Sequence, residues 1–213
     1  RAAPGQHQGD PGRLSAGPEA IAVADLQVSS ANPRYQFVGK GLAELISFEL
    51  SKSPGVVLIE REKRTQLLEE MEFSLSDAAD PDRQLEVGRL LAARYVVVGD
   101  LVDMDTVMLA SLRLIDVQTG QIVWRDRADE PLARYNYLAG YFARSLLTFL
   151  GAAVDSSTER VVSEKPSGNA EAAVAISEAI ASYDRGDASA AKQSLQRARR
   201  LDPRAARRSC ARK

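Results

Sequence analysis

The run Tyr95-Val96-Val97-Val98-Gly99 constrains this chain more than any other segment. Its side chains are apolar on both sides of a pleat, and three are β-branched, a pattern stable only where both faces of a strand are covered. The run is therefore expected at the centre of a sheet, with the rest of the domain arranged around it.

Upstream, Ala20 to Leu26 (AIAVADL) suits a buried first strand, followed by a Ser-Ser-Ala-Asn-Pro loop. Val38, Leu42, Leu45, Ile46, Glu49 and Leu50 then recur at helical spacing, predicting a helix that ends near Pro54-Gly55. Val56 to Ile59 reads as a second strand. A charged helix with Leu67, Leu68 and Met71 inward should follow, then another that starts at Asp80-Pro81 and runs to about Ala92.

Downstream of the central run, Asp-Met-Asp-Thr at 103–106 and Gln-Thr-Gly-Gln at 118–121 are short enough to join antiparallel strands, with Gly120 supplying a positive φ. The strand from Val107 to Val117 places Met108, Ala110, Leu112 and Leu114 on one face, and the strand from Gln121 to Ala128 carries Trp124. Pro131 opens a helix whose inner stripe is Leu132, Tyr135, Leu138, Ala139, Phe142, Leu146 and Phe149, and Gly151 ends it. The fold class read from this order is α/β, a single mixed sheet packed with helices, followed by a C-terminal α-helical hairpin.

The expected organisation is a flexible N-terminal segment over 1–18, an α/β domain over 19–151, a polar linker over 152–168, and a helical hairpin with a basic tail over 169–213. In the hairpin, Gly186, Ala191, Leu195, Ala198 and Pro203 fall at the spacing of the tetratricopeptide repeat, which the segment resembles. It departs from that pattern in its aromatic, Tyr183 in place of Ser182, and in Glu178-Ala179 where Leu-Gly is usual. One hairpin cannot bury its apolar side alone, so Ile176, Ile180, Tyr183, Leu195 and Leu201 are the candidate protein-contact residues, toward the α/β domain or another chain. Residues Arg197 to Lys213 hold seven Arg and one Lys against one Asp. With no interleaved aromatic to stack on bases, a solvated helix face and frayed tail is expected there rather than a nucleic-acid or anionic-lipid patch.

Chemistry is sparse. His7 and Cys210 are each the only residue of their kind, so an internal disulfide is impossible, and nucleophile-base pairs or imidazole and thiolate metal sites lack their material. The carboxylates Asp25, Glu60, Glu62, Asp100 and Asp116, at strand ends, are the best that an enzyme reading can offer. Opposite charges at helical spacing explain Glu60 to Arg64 more simply, and Asp25 and Asp100 suit turn caps. Gly39-Lys40-Gly41 lacks the remaining glycines and the Ser/Thr of a phosphate loop; helix entry with close packing is expected of it. Tyr95 and Trp124 are expected in the core. No catalytic residue, cofactor or metal is assigned, and a net charge of -1 points to no nucleic-acid partner.

The stretches IAVADL, VGKGLAELISFEL, VVLIEREKRTQLLEE, LSDAADPDRQLEVGRLLAARYVVVGDL and LRLIDVQTGQIVW, within Ile21 to Leu150, resemble the curli-production family of CsgG. That group includes its flagellar relative FlgO, the TolB N-terminal-like folds and the lipoprotein activators of peptidoglycan synthases. The resemblance implies a periplasmic, outer-membrane-associated protein that binds protein partners, with homo-oligomers among the possibilities. The pore-forming member contributes two long transmembrane hairpins, which need strands of about 9–11 residues with alternating lipid-facing side chains. The connection at 103–106 and the approach to Pro131 leave no room for them. The implied function is thus a non-enzymatic module for secretion or assembly of a surface structure; the alternative is a lipoprotein-type regulator of a peptidoglycan synthase. Arg1 in place of methionine fits a removed leader, and membrane contact is expected only through a lost lipid anchor.

Overall fold

The computed structural model describes residues 19–59, 93–164 and 168–203. The flexible lead-in, the two helices expected between Glu60 and Ala92 and the tail after Pro203 lie outside the described residues.

Six strands form one mixed sheet: β1 (Glu19–Val23), β2 (Gln27–Ser29), β3 (Val56–Leu58), β4 (Tyr95–Asp103), β5 (Met108–Asp116) and β6 (Ile122–Glu130). Their order is β3-β1-β4-β5-β6, with β2 also pairing β4. The Tyr95 run is thus the middle strand. β1 and β2 run parallel to β4 in succession: the strand expected over Ala20 to Leu26 ends at Val23, and a second short strand follows it after Leu26. β4, β5 and β6 form the expected antiparallel meander. Its first turn holds Asp105 at φ 65, where the Asp105 amide donates to the Asp103 carboxylate, and its second uses Gly120 at φ 68. Both residue types tolerate the left-handed region for the reason turns select them.

Helix α1 (Val38–Leu50) and helix α2 (Tyr135–Phe149), entered through a 3-10 turn at Leu132–Arg134, lie on one face of the sheet. The main core is there: Ile21, Val23, Val97, Leu101, Ala110, Leu112 and Leu114 of the sheet meet Leu42, Ile46, Leu138, Phe142 and Leu146 of the helices. A smaller cluster of Ala22, Ala93 and Val96 occupies the opposite face. The central run is therefore covered on both sides, as its composition requires.

One feature departs from the sequence reading, and a second realises one of the two outcomes expected of the hairpin. The polar stretch 152–168 carries helix α3 (Ser156–Glu164), which buries Thr158, Val161 and Val162. Thr158 Oγ1 donates to the buried Glu49 at 2.6 Å, and Lys52 reaches the same carboxylate at 2.7 Å, so the end of α1 is tied to α3. Two adjacent valines among nine residues were too few to register as a stripe. Second, helix α4 (Ala170–Asp184) packs on α1 and adds Ala173 and Val174 to the main core, while helix α5 (Ala188–Leu201) lies against α4. Lys40 at the start of α1 makes ion pairs with Asp25, at 3.5 Å, and Asp184, and Arg34 pairs with Glu171.

Where α1, α2 and α4 meet, the Tyr135 hydroxyl lies 3.1 Å from Ser177 Oγ and donates to the Val38 carbonyl at 3.3 Å. Burial, the largest influence, drives its pKa well above the ordinary tyrosine value, against a smaller opposing effect of Ser177. Tyr141, hydrogen-bonded to Asp126, is pushed up to about 12, first by burial and then by that carboxylate. Both raised values favour the protonated phenol in the folded state, so the stability they contribute is complete below the ordinary pKa of 10.0; the share of Tyr141 is lost as pH climbs through about 12, and that of Tyr135 persists to higher pH. Urea unfolding across that alkaline window should show declining stability, with a shallower decline in Tyr141→Phe; an identical slope in the variant would refute this role for Tyr141.

Candidate protein-interaction surfaces

The face of the meander turned away from α1 and α2 follows from register. Val98 of β4, Arg113 of β5 and Arg125 of β6 form one row, and Asp100, Ser111 and Arg127 form the next. Because side chains alternate along each strand, these residues share the side opposite the buried Leu112 and Leu114. Arg113, Arg125 and Arg127 are exposed, and Arg113 Nη2 donates to Asp100 at 3.2 Å. The result is a charged strip on the sheet, three guanidiniums against Asp100 and, in the row of Leu109, the exposed Asp129, bordered by the half-buried Val98, Val102 and Leu109. Sequence reading missed it by following the apolar alternation of β5 without asking what the intervening residues would present once β6 lay alongside.

The five hairpin residues proposed from sequence do not share one surface. Ile176 is buried in a seam with Ala175 and Ala198, and Ile180 packs against that seam. Tyr183, Leu195 and Leu201 face outward, with Tyr183 74% exposed. The carboxylates considered for catalysis are also dispersed. Asp116 is buried, accepts from the Gln118 and Thr119 amides and pairs with Arg94 at 2.8 Å, which makes it a turn-fixing group. Asp25 lies near Lys40, Asp100 is occupied by Arg113, and Glu60 and Glu62 are outside the described residues. Among the described residues no group of three or more His, Cys, Asp or Glu side chains could hold a metal ion, and no helix is long and apolar enough to cross a membrane. Tyr95 and Trp124 are core residues, at 5% and 4% exposure. Gly39 and Gly41 do serve close packing: a Cβ on Gly39 would lie 2.1 Å from the Leu26 carbonyl oxygen, and one on Gly41 would lie 2.1 Å from the Tyr135 hydroxyl.

Fold and surfaces together define a mixed-sheet α/β domain with a charged outer sheet face and a helical hairpin docked on its helices. Residues 40–129, α1 through nearly all of β6, match the family model described as the peptidoglycan-synthase activator LpoB. The match takes in less than half of the chain and stops before α2 and the hairpin. Among solved structures, the chain is similar to the LpoB C-terminal domain from Salmonella enterica, at 16% identity and TM-score 0.37, covering 55% of this chain and 85% of that one. It is also similar to lipoprotein GNA1162 from Neisseria meningitidis, at 18% identity and TM-score 0.38, covering 54% and 81%. A third similar structure is the PelC dodecamer from Paraburkholderia phytofirmans, at 17% identity and TM-score 0.40, covering 64% and 89%. At such values these likenesses bear no weight on function. Comparison with curated protein sequences returns no match.

The family match corrects the resemblance drawn from sequence. The motifs assigned to the curli-production family fall largely within residues 40–129, and the model they satisfy is that of the synthase activator. The curli reading was drawn to motifs that the related folds share, since strand and helix patterns report architecture and not task. Tetratricopeptide character finds no support either. The five spacings it rested on describe any small-residue helix crossing, and α4 buries its apolar side on α1 of the same body instead of on a neighbouring repeat. Of the two functions weighed from sequence, the findings back the peptidoglycan-synthase regulator over surface-structure secretion.

Proposed function

We propose that this protein is a non-catalytic, envelope-located activator of a peptidoglycan synthase, acting in the periplasm in association with the outer membrane and docking on the synthase through the outer face of the meander. The observation that carries the reading is the match of residues 40–129 to the activator family, a span that contains Arg113, Arg125 and Arg127. The physical case for that face is its setting. The three guanidiniums stand on paired strands fixed by the core beneath, so little backbone entropy is lost when a partner is bound, and arginine is enriched at interfaces for its planar fork of donors. Ile176 and Ile180 act within the chain, holding α4 to α5.

Glycan polymerisation by a purified peptidoglycan synthase should accelerate when the full chain is added, and the two proteins should co-purify. Arg113→Glu combined with Arg125→Glu should weaken binding by at least tenfold, about 1.4 kcal/mol, while the melting temperature is nearly unchanged because both side chains are exposed. Absence of both binding and stimulation with the intact chain would defeat the activator reading. Unchanged stimulation in the double variant would defeat only the choice of surface.

A further inference from the structure

Helix α5 carries Lys192, Arg197, Arg199 and Arg200 and, between its Asp187 N-cap and its Asp202 C-cap, no acidic residue. Arg197 turns inward and pairs with Glu178 of α4 at 2.8 Å. No hydrogen bond or ion pair among the described residues engages Lys192, Arg199 or Arg200, all three of which are exposed. Lys192, Leu195 and Arg199 succeed one another at steps of three and four, so they stand in one line along the helix. Leu195 is 37% exposed in that line. Tyr183, at the last turn of α4 beside the connection to α5, is exposed on the same hairpin, and so is Leu201, which ends α5 about 180° around the helix from Lys192. Six large apolar side chains are exposed among the described residues, and three of them are these. Apolar exposure and uncompensated positive charge are thus concentrated on one hairpin.

We propose that the outer side of α5 is a peripheral docking surface for an anionic phospholipid bilayer, independent of the synthase-binding face. Charge complementarity selects an anionic occupant: each Lys or Arg close to an acidic membrane surface contributes about fivefold to partitioning. The exposed Leu195, in line with Lys192 and Arg199, and Tyr183 at the end of the hairpin select a bilayer over a polyanionic polymer such as a glycan strand or RNA, which would answer the cations and leave the apolar groups in water. At the boundary between headgroups and acyl chains, leucine gains hydrocarbon contact and tyrosine keeps its hydroxyl wet. The apolar side of α5 is already spent on α4, so the contact is shallow and electrostatic, and therefore salt-sensitive.

The test is co-sedimentation of the full chain with vesicles of phosphatidylcholine alone and of phosphatidylcholine mixed with phosphatidylglycerol, at low and at high salt. Binding is expected to the mixed vesicles at low salt and to be largely lost at high salt or on neutral vesicles. The triple variant Lys192→Gln, Arg199→Gln, Arg200→Gln should partition about a hundredfold more weakly, and Leu195→Ser should weaken binding to the mixed vesicles at unchanged charge. All four positions are exposed, so circular dichroism and melting temperature should match the parent. Equal binding by the triple variant and the parent would overturn the assignment to α5. Retention on purified peptidoglycan or RNA without retention on mixed vesicles would overturn the choice of a bilayer, and failure to bind any vesicle would overturn the proposal as a whole.

Discussion

Truncating Phe142 to alanine is expected to destabilise the protein by about 3–5 kcal/mol, the range for removing a large aromatic side chain from a packed interior. Phe142 is 1% exposed on α2, belongs to the core shared by the sheet and α1, and meets Tyr141 edge to face at 5.3 Å between ring centroids. Its neighbours are held by the sheet on one side and by helices on the other, so they cannot collapse into the space left behind. Against a total stability of about 5–15 kcal/mol for a domain, this is a large fraction. The urea midpoint should fall steeply with little change in slope. A loss under about 1 kcal/mol would show that the interior accommodates the void, contrary to its close packing.

Gly39→Ala should destabilise by about 2 kcal/mol or more, against the usual effect of that exchange in a helix. In an unconstrained helix interior, alanine gains about 1 kcal/mol over glycine. Here the added Cβ would sit 2.1 Å from the Leu26 carbonyl oxygen and 2.8 Å from Val28 Cγ2, separations that real Cβ atoms do not show. The obstacle at Leu26 is backbone, joining β1 to β2, both of which are paired into the sheet. Either α1 or that connection has to shift, and overpacking of this kind costs about 1–3 kcal/mol or more, which outweighs the propensity gain. Gly41→Ala makes a useful contrast. Its new Cβ meets side chains instead of backbone: Ser177 Oγ can rotate away, but the Tyr135 oxygen lies on its ring axis and moves only with the buried ring, so a loss of about 1–3 kcal/mol is expected. Thermal or urea denaturation of the two variants ranks them, and a stabilised Gly39→Ala protein would contradict the close approach of α1 to the strand connection.

The sheet was legible because its signals are local and repeated. Met108, Ala110, Leu112 and Leu114 alternate in sequence and all are buried, and the two short turns of the meander left antiparallel pairing as the natural course. Helix α2 was legible for one side only. Its predicted stripe faces the sheet and α1, yet Tyr137, Gly140, Ala143 and Leu147 are buried as well, and Gly140 lies against Val161 of α3. A helix packed on two sides loses the clean division between apolar and polar faces that makes it recognisable, and its second partner was too short and too polar to be seen.

The candidate surfaces divide the same way. The hairpin, its turn at Arg185-Gly186-Asp187 and the cationic sequence of α5 were readable from composition and spacing. Which residues of that hairpin face inward was not, since Ile176 and Tyr183 are both apolar members of one helix. The packing of α4 against α5 buries the first and leaves the second in solvent. The cationic row of Arg113 and Arg125 belongs to two strands, and only the register of β5 on β6 brings the pair together.

Sequence alone determined most of the described strands and helices with their order, the central position of the Tyr95 strand, the buried faces of α1 and β5 and the dearth of nucleophiles and metal ligands, since all of these depend on short-range pattern and composition. Tertiary structure alone decided that α3 covers α2, that α4 completes the core, and which charged and apolar side chains are left together at the surface. Those outcomes depend on contacts between residues far apart in the chain, whose geometry is set by packing and strand register and leaves no periodic trace in any one segment.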